Sequence, residues 1–330
     1  MEHTFSTLKR MLFVYNPYAG KGAVAPKISE MLDIFVKGGY LVSAYPTQQA
    51  GDCYRIVAEI SDRFDMVVAC GGDGTLNEAI KGLMECDVKK TFAYIPAGTT
   101  NDFATTLHIP KDLIYAAHTA VDGIPFECDL GQFGDEHYFT YVAAFGAFTS
   151  VSYETPQKNK NIFGHLAYVI EGVKQIASLE SYVITVDHDG EEITDEYILG
   201  MVTNTVSVGG FKKLTDMGVI LDDGLFEVIL IKAPQSPMDL QNILTCVLKQ
   251  ELNPQYFTSF KTSKVTFKSD NEISWTIDGE NGGKHNEITI RNKMRAFSIH
   301  VNYPDSTLSD TLTKEIEYFV CDETIIHYMR

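Results

Sequence analysis

The spacing of apolar residues changes character near residue 125, and the change divides the chain into two kinds of structure. Before it, short apolar runs alternate with segments of helical spacing. Met11–Tyr15, Tyr40–Tyr45, Met66–Cys70 and Thr91–Ile95 read as buried strands. Ala25–Lys37, with apolar Ile28, Leu32 and Phe35, reads as a helix, as do Cys53–Phe64 and Leu76–Met84. Such alternation builds a parallel sheet with helices on both faces. After residue 125 the runs shorten and alternate with period two, rich in Val, Ile, Thr, Tyr and Phe. Glu127–Gln132, Tyr138–Phe145, Tyr182–Asp187, Tyr197–Asn204, Phe226–Lys232, Lys264–Phe267, Ile273–Ile277, Glu287–Arg291 and Ala296–Val301 read as strands. Helices are expected at Ile162–Ala177 and near Asp239–Gln250. The second part is therefore a mostly antiparallel, two-sheet domain. Helical spacing over Leu312–Cys321 suggests a tail that returns to the first domain.

Three glycine-containing turns follow strands of the first part. Gly71-Gly72-Asp73-Gly74-Thr75-Leu76-Asn77 joins an apolar strand to a helix. Its glycines let the backbone approach a ligand closely, and free N–H groups at the helix start favour a phosphate. Asp73 puts a carboxylate in that cradle, which points to an intervening Mg²⁺. The plainer reading is a tight turn capped by Asp73 and Thr75. Asn16-Pro17-Tyr18-Ala19-Gly20-Lys21-Gly22 and Pro96-Ala97-Gly98-Thr99-Thr100-Asn101-Asp102 end two other strands. All three lie at carboxyl ends of strands, where open α/β sheets bind ligands. Neither a G-x-x-x-x-G-K-[ST] loop nor a G-x-G-x-x-G fingerprint is present.

The second part carries Leu221-Asp222-Asp223-Gly224-Leu225 and Trp275-Thr276-Ile277-Asp278-Gly279-Glu280. Each Asp-Gly pair also reads as an ordinary hairpin turn. Asp278 and Glu280 stand two apart at a strand end, a spacing that shares one face on a strand unless Gly279 bends the chain. Either could serve as a carboxylate base.

Composition narrows the class. The chain has 330 residues, 45% hydrophobic and 22% charged, which suits about two globular domains. A net charge of −17 disfavours nucleic acid and tight docking on anionic membranes. The six cysteines are scattered without a C-x-x-C pair, as expected of reduced thiols. Ile162–Ala177 is interrupted by His165, Glu171 and Lys174, so it is no membrane span. Met1–Arg10 lacks the apolar centre of a secretion signal, and a cytoplasmic location is expected.

In their order, NPYAGKG at Asn16, GGDGTLNEAIKGL at Gly71, IPAGTTNDFA at Ile95, GGFKKL at Gly209, LDDGLFEV at Leu221 and WTIDGE at Trp275 resemble the diacylglycerol kinase catalytic family, in particular its soluble bacterial lipid-kinase branch. GGDGT alone is shared with NAD kinases and is similar to phosphofructokinase motifs; the GTTND and DDGLFEV elements favour lipid kinases. The resemblance implies an α/β fold with a Rossmann-like, NAD kinase-like parallel-sheet domain over 1–127, joined by the tail 304–330. A β-sandwich lipid-substrate domain over 128–303 completes it. It implies ATP contacts from Asn16, Pro17, Tyr18, Ala19, Gly20, Thr47, Gly71, Gly72, Asp73, Gly74, Thr75, Leu76, Asn77 and Thr99. Asp73, Asp102 and Asp223 would build a Mg²⁺–water network, and Asp223 with the carbonyls of Ile220 and Leu225 would hold a Mg²⁺. The family's Pro-x-Ala step before the DDG turn is replaced by Leu214-Thr215-Asp216-Met217-Gly218.

The implied activity is phosphoryl transfer from ATP to the hydroxyl of a diacylglycerol, with Glu280 slightly preferred over Asp278 as base. A sphingoid base, phosphatidylglycerol or a non-catalytic regulatory role are the competing readings. The expected partners are a lipid at a membrane surface, reached by transient peripheral contact, and a second copy of the chain, with no nucleic acid. Lys9, Arg10, Lys21, Lys158, Lys160, Lys212 and Lys213 could form a basic docking face, or a solvated scatter of charge.

Overall fold

A computed structural model describes residues 8–86, 89–99, 101–146, 180–205, 220–249 and 251–302. The expected helix at Ile162–Ala177, the tail Leu312–Cys321 and the stretch Leu214–Gly218 lie outside them.

The first part alternates as its apolar runs dictate. Lys9–Tyr15 (β1), the kinked turn Ala19–Gly22 (α1), Ile28–Lys37 (α2), Tyr40–Pro46 (β2), Asp52–Ile60 (α3), Met66–Gly71 (β3), Asp73–Met84 (α4) and Thr91–Pro96 (β4) follow in order. β2, β1, β3 and β4 pair side by side, all parallel. Every residue of β3 is buried, as a central strand covered on both faces requires. Phe35 of α2, Val57 of α3 and Ile80 of α4 close over Phe13, Val67 and Phe92 in one core. Pro26 and its neighbours form a separate 3₁₀ turn, so the helix expected from Ala25 begins at Ile28. Two helices were not evident from spacing: Asp102–Thr106 (α5) and Leu113–Asp122 (α6). Asp112 caps α6 by accepting from the N–H groups of Ile114 and Tyr115.

The second part is antiparallel: Ile124–Phe133 (β5), His137–Phe139 (β6), Val142–Gly146 (β7), Tyr182–His188 (β8), Glu191–Thr203 (β9), Phe226–Lys232 (β10), Phe257–Thr262 (β11), Lys264–Ile277 (β12) and Glu280–Val301 (β13), with helix Pro237–Lys249 (α7) after β10. These strands enclose a core of Phe133, Phe145, Phe226, Phe267 and Trp275, while α7 covers a second cluster with Ile243 and Val247. The fold class is thus an α/β domain plus an antiparallel β-sandwich-like domain.

Strand continuity departs from the expectations in three places. Tyr138–Phe145 is not one strand, because Thr140 and Tyr141 turn aside to bind Asp278. Lys264–Phe267 and Ile273–Ile277 are one strand with a register shift between them. Glu287–Arg291 and Ala296–Val301 are likewise one strand, irregular between Lys293 and Phe297. Past that irregularity β13 runs parallel to β4, and Phe297, Ile299 and Val301 join the first core, as do Cys128 and Leu130 of β5. β5 and β13 are therefore shared by the two parts rather than falling on one side of a boundary at 127/128.

Candidate active site

The parallel pairing brings the ends of β1, β2, β3 and β4 to one edge, so the turns that follow them meet there. Backbone bonds extend the sheet into those turns. Asn16 N–H donates to Cys70 O at 2.9 Å, Thr47 N–H to Tyr15 O at 2.9 Å, and Ala97 N–H to Gly71 O at 2.7 Å. The turns then touch at glycines. A Cβ on Gly20, whose φ is +61°, would lie 2.9 Å from Ala97 O. One on Gly98 would lie 2.7 Å from Gly72 Cα and 2.7 Å from Asn101 Oδ1. Those separations are below any carbon contact, so glycine at 98 is what lets two turns share one wall.

Gly72 caps α4, and Leu76 N–H makes the first bond of that end, to Gly72 O at 3.1 Å. The preceding N–H groups have no intrahelical acceptor and face the turn as a donor set for an anion. Asp73 Oδ2 accepts from Asn101 N–H at 3.2 Å, which joins the two turns. Asn101 holds a left-handed backbone, φ 52°, and its side chain closes the turn: Gly98 N–H donates to Oδ1 at 2.9 Å and Nδ2 donates to Gly98 O at 2.8 Å. Asn16, Pro17, Ala19, Gly72, Asp73, Gly74, Thr75 and Asn77 are half-buried around this edge, and Tyr18 and Thr99 are exposed. Leu76 differs from the other contacts expected: its side chain is buried in the first core, which leaves only its backbone for a ligand. Asp102 opens α5 directly after Asn101.

The Asp278-Gly279 pair is a two-residue hairpin turn. Both have positive φ, 48° and 84°, and Ile277 pairs with Glu280 across it. Asp278 and Glu280 therefore share no strand face, and they do different things. Asp278 is buried, and both its oxygens accept: Oδ2 from Thr140 N–H at 2.7 Å and Thr140 Oγ1 at 2.9 Å, Oδ1 from Tyr141 N–H at 3.1 Å and Val142 N–H at 2.9 Å. Burial pushes its carboxyl up to about 6 against the opposing pull of those donors. A carboxylate so occupied anchors a turn and has no oxygen left to take a substrate proton. Glu280 is exposed at the start of β13 and reaches the phosphate turn: a Cβ on Gly74 would lie 3.4 Å from Glu280 Oε1. Thr140 Oγ1 also stands 3.4 Å from Asn77 Oδ1, beside the same turn.

The DDG turn precedes β10. Asp223 Oδ1 accepts from Leu225 N–H at 2.9 Å, and Ile220, Asp223 and Leu225 are all half-buried. Two residues that sequence reasoning missed hold this turn. Asp129 of β5 accepts from Gly224 N–H and Arg295 N–H, each at 2.7 Å. Arg295, at φ 49° in the irregularity of β13, places its guanidinium 2.9 Å from Asp222 Oδ2. Asp129 shares the run Phe126–Phe133 with a second acidic residue, Glu127, so nothing in the sequence singles out Asp129 or Arg295. Glu78 was also missed: its carboxylate accepts from Gly51 N–H at 2.8 Å and Cys53 N–H at 3.1 Å, fixing the start of α3 beside Thr47.

Lys9 and Arg10 open β1, whereas Lys21 follows its far end. A strand of that length separates them by roughly 20 Å, so they form no single small patch. Lys158, Lys160, Lys212 and Lys213 lie outside the described residues. Among the described residues, no helix is long and apolar enough to cross a membrane.

Residues 10–133 match the diacylglycerol kinase catalytic domain, and residues 143–298 match the YegS C-terminal NAD kinase beta sandwich-like domain. A diacylglycerol kinase of Bacillus subtilis (strain 168) is 34% identical over 278 residues, 84% of this chain and 91% of the relative. One from Staphylococcus saprophyticus is 33% identical over 294 residues, 88% of this chain and 95% of the relative. The crystal structure of a diacylglycerol kinase from Bacillus anthracis str. Sterne superposes with a TM-score of 0.69 at 21% identity, covering 90% of this chain and 98% of its own, a likeness of fold.

Proposed function

Since the chain belongs to the diacylglycerol kinase family and is a lipid kinase, we propose that it moves the γ-phosphoryl group of ATP to the free hydroxyl of a diacylglycerol, giving phosphatidic acid. The observation that supports this most is Glu280 Oε1 beside Gly74, an exposed carboxylate set against a phosphate-binding turn. Phosphoryl transfer asks a protein mainly for positioning and for stabilisation of charge. The N–H groups at the start of α4 and the three abutting turns bind and orient the phosphates. The acceptor oxygen forms a bond to the γ-phosphorus, the bond from that phosphorus to the β–γ bridging oxygen breaks, and ADP leaves. The hydroxyl proton passes to Glu280, a general base whose carboxylate stands beside the Gly74 turn. Asp278 fixes the hairpin that presents Glu280.

The DDG turn fits a hard divalent cation. It offers the Asp223 carboxylate with the carbonyls of Ile220 and Leu225, and Asp222 Oδ1 is buried and accepts no hydrogen bond among the described residues. Asp223, Ile220 and Leu225 would hold Mg²⁺ there, with Asp73 and Asp102 in a water-bridged network toward the nucleotide. When bound, Mg²⁺ supplies positive charge against the phosphates. The lipid is met at a membrane surface by transient peripheral contact on the cytoplasmic side, and a homodimer accords with the family resemblance. The reading is tested by γ-labelled ATP offered with diacylglycerol, sphingosine, phosphatidylglycerol and NAD. Label in phosphatidic acid supports it; nucleotide binding without transfer to any acceptor overturns it in favour of a regulator.

A further inference from the structure

We propose that Tyr94 is a positioning residue for the nucleotide, its hydroxyl pinning Asn101 and, through Asn101, the Asp73 carboxylate on the phosphate turn. The inference rests on the kinase reading above. Tyr94 lies on β4 and is 1% exposed, directly beneath the place where two turns meet. Its one hydroxyl proton is shared between Gly71 O at 3.0 Å, the last residue of β3, and Asn101 Oδ1 at 3.3 Å, in the turn that follows β4. A buried phenol needs one acceptor to avoid the penalty of an unmade bond. Both of these acceptors already have another donor, Ala97 N–H for Gly71 O and Gly98 N–H for Asn101 Oδ1. The hydroxyl is therefore not required to satisfy either of them. What it adds is a tie across the seam between the turns.

The tie leads to the chemistry. Asn101 sits in a left-handed conformation, φ 52° and ψ 52°, closed by its two side-chain bonds to Gly98. The N–H of that same residue donates to Asp73 Oδ2. Movement of the Asn101 side chain would carry its N–H, and with it the carboxylate that stands among the phosphate-binding groups. Burial first, and then the charge of Asp73, pushes the ionisation of the phenol well above its ordinary range, so the hydroxyl remains a donor at any working pH.

The test is Tyr94→Phe in the full chain, which keeps the buried ring and deletes only the hydroxyl. Five quantities are read: at fixed Mg²⁺, KM and kcat for ATP, KM for diacylglycerol in mixed micelles and the calorimetric Kd for ADP, and the melting temperature. A bond worth about 1 kcal/mol sets the scale, so KM for ATP and Kd for ADP are expected to rise about three- to tenfold. KM for the lipid and the melting temperature should stay near wild type. In an Asn101→Gly background, which preserves the left-handed backbone, Tyr94→Phe should add less than about twofold, because the two residues act in series. Unchanged ATP and ADP parameters would overturn the proposal. So would an equal rise in lipid KM with a lower melting temperature, the mark of a merely structural tyrosine, or full additivity with Asn101→Gly. Failure of the wild-type chain to bind ADP would instead overturn the kinase reading beneath it.

Discussion

Gly98→Ala is the sharpest perturbation of the nucleotide edge. The added methyl would sit 2.7 Å from Gly72 Cα and 2.7 Å from Asn101 Oδ1, against an optimum near 3.5–4.0 Å for carbon atoms. Neither neighbour is the free end of a flexible side chain: one is backbone, and the other is bonded to Gly98 itself. The two turns must therefore separate by roughly 1 Å. A displacement of that size at a positioned substrate costs about a hundredfold, or about 2.7 kcal/mol of transition-state stabilisation. The clash is at a half-buried turn rather than in the core, so overpacking should cost the fold only about 1–3 kcal/mol. The assay is kcat/KM for ATP at saturating diacylglycerol, beside ADP calorimetry and urea unfolding. We expect kcat/KM to fall about a hundredfold with cooperative unfolding retained. ADP affinity within about threefold of wild type would refute the reasoning that these turns share one phosphate site.

Glu280→Gln should lower kcat by about 10²–10⁴ and leave ADP affinity and melting temperature unchanged, since the side chain is exposed; kcat within tenfold of wild type would remove Glu280 as base. Arg295→Met takes the cation away from buried Asp222, and after discounting for the half-exposed guanidinium it should cost about 1–3 kcal/mol in urea unfolding, whereas Arg291→Met, at a solvent-exposed pair, should cost under about 1. Glu227 is buried on β10, and burial pushes its carboxyl to about 7 despite Lys261 Nζ at 3.1 Å. Its folded value exceeds the ordinary 4.5, so its contribution to stability is complete below pH 4.5 and is lost as pH rises through 7, by up to about 3 kcal/mol. Glu227→Gln should flatten that part of the pH profile of the urea midpoint, and an unchanged slope would contradict the assignment.

The first half of the fold was legible because its signals are local. Met66–Gly71 is apolar at every position, and the glycine turn after it needs no distant partner to be recognised. Helix α6 escaped notice because its alanines, Ala116, Ala117 and Ala120, bury a face without the large residues that mark a period. The passage of β13 from one core to the other was hidden for a different reason. Parallel pairing of Ser298 with Thr91 joins residues far apart in the chain, and strand alternation says nothing about which neighbour a strand will find. At the site, residue types were legible but roles were not. Asp278 and Glu280 looked equivalent in sequence, and a type of turn, set by two positive φ values, sends one carboxylate into the protein and the other toward Gly74. Asp129, Arg295 and Tyr94 act by holding backbone segments contributed by other strands, and such partnerships exist only once the sheet has formed.

The central claim is that this nucleotide edge and Glu280 together phosphorylate a lipid alcohol, with diacylglycerol as the acceptor. Purified chain, Mg²⁺ and γ-labelled ATP, presented with mixed micelles of diacylglycerol, should yield labelled phosphatidic acid, and Glu280→Gln under the same conditions should yield about a hundredth of it or less. Label on sphingosine or phosphatidylglycerol in place of diacylglycerol, or equal label from wild type and Glu280→Gln, would contradict it.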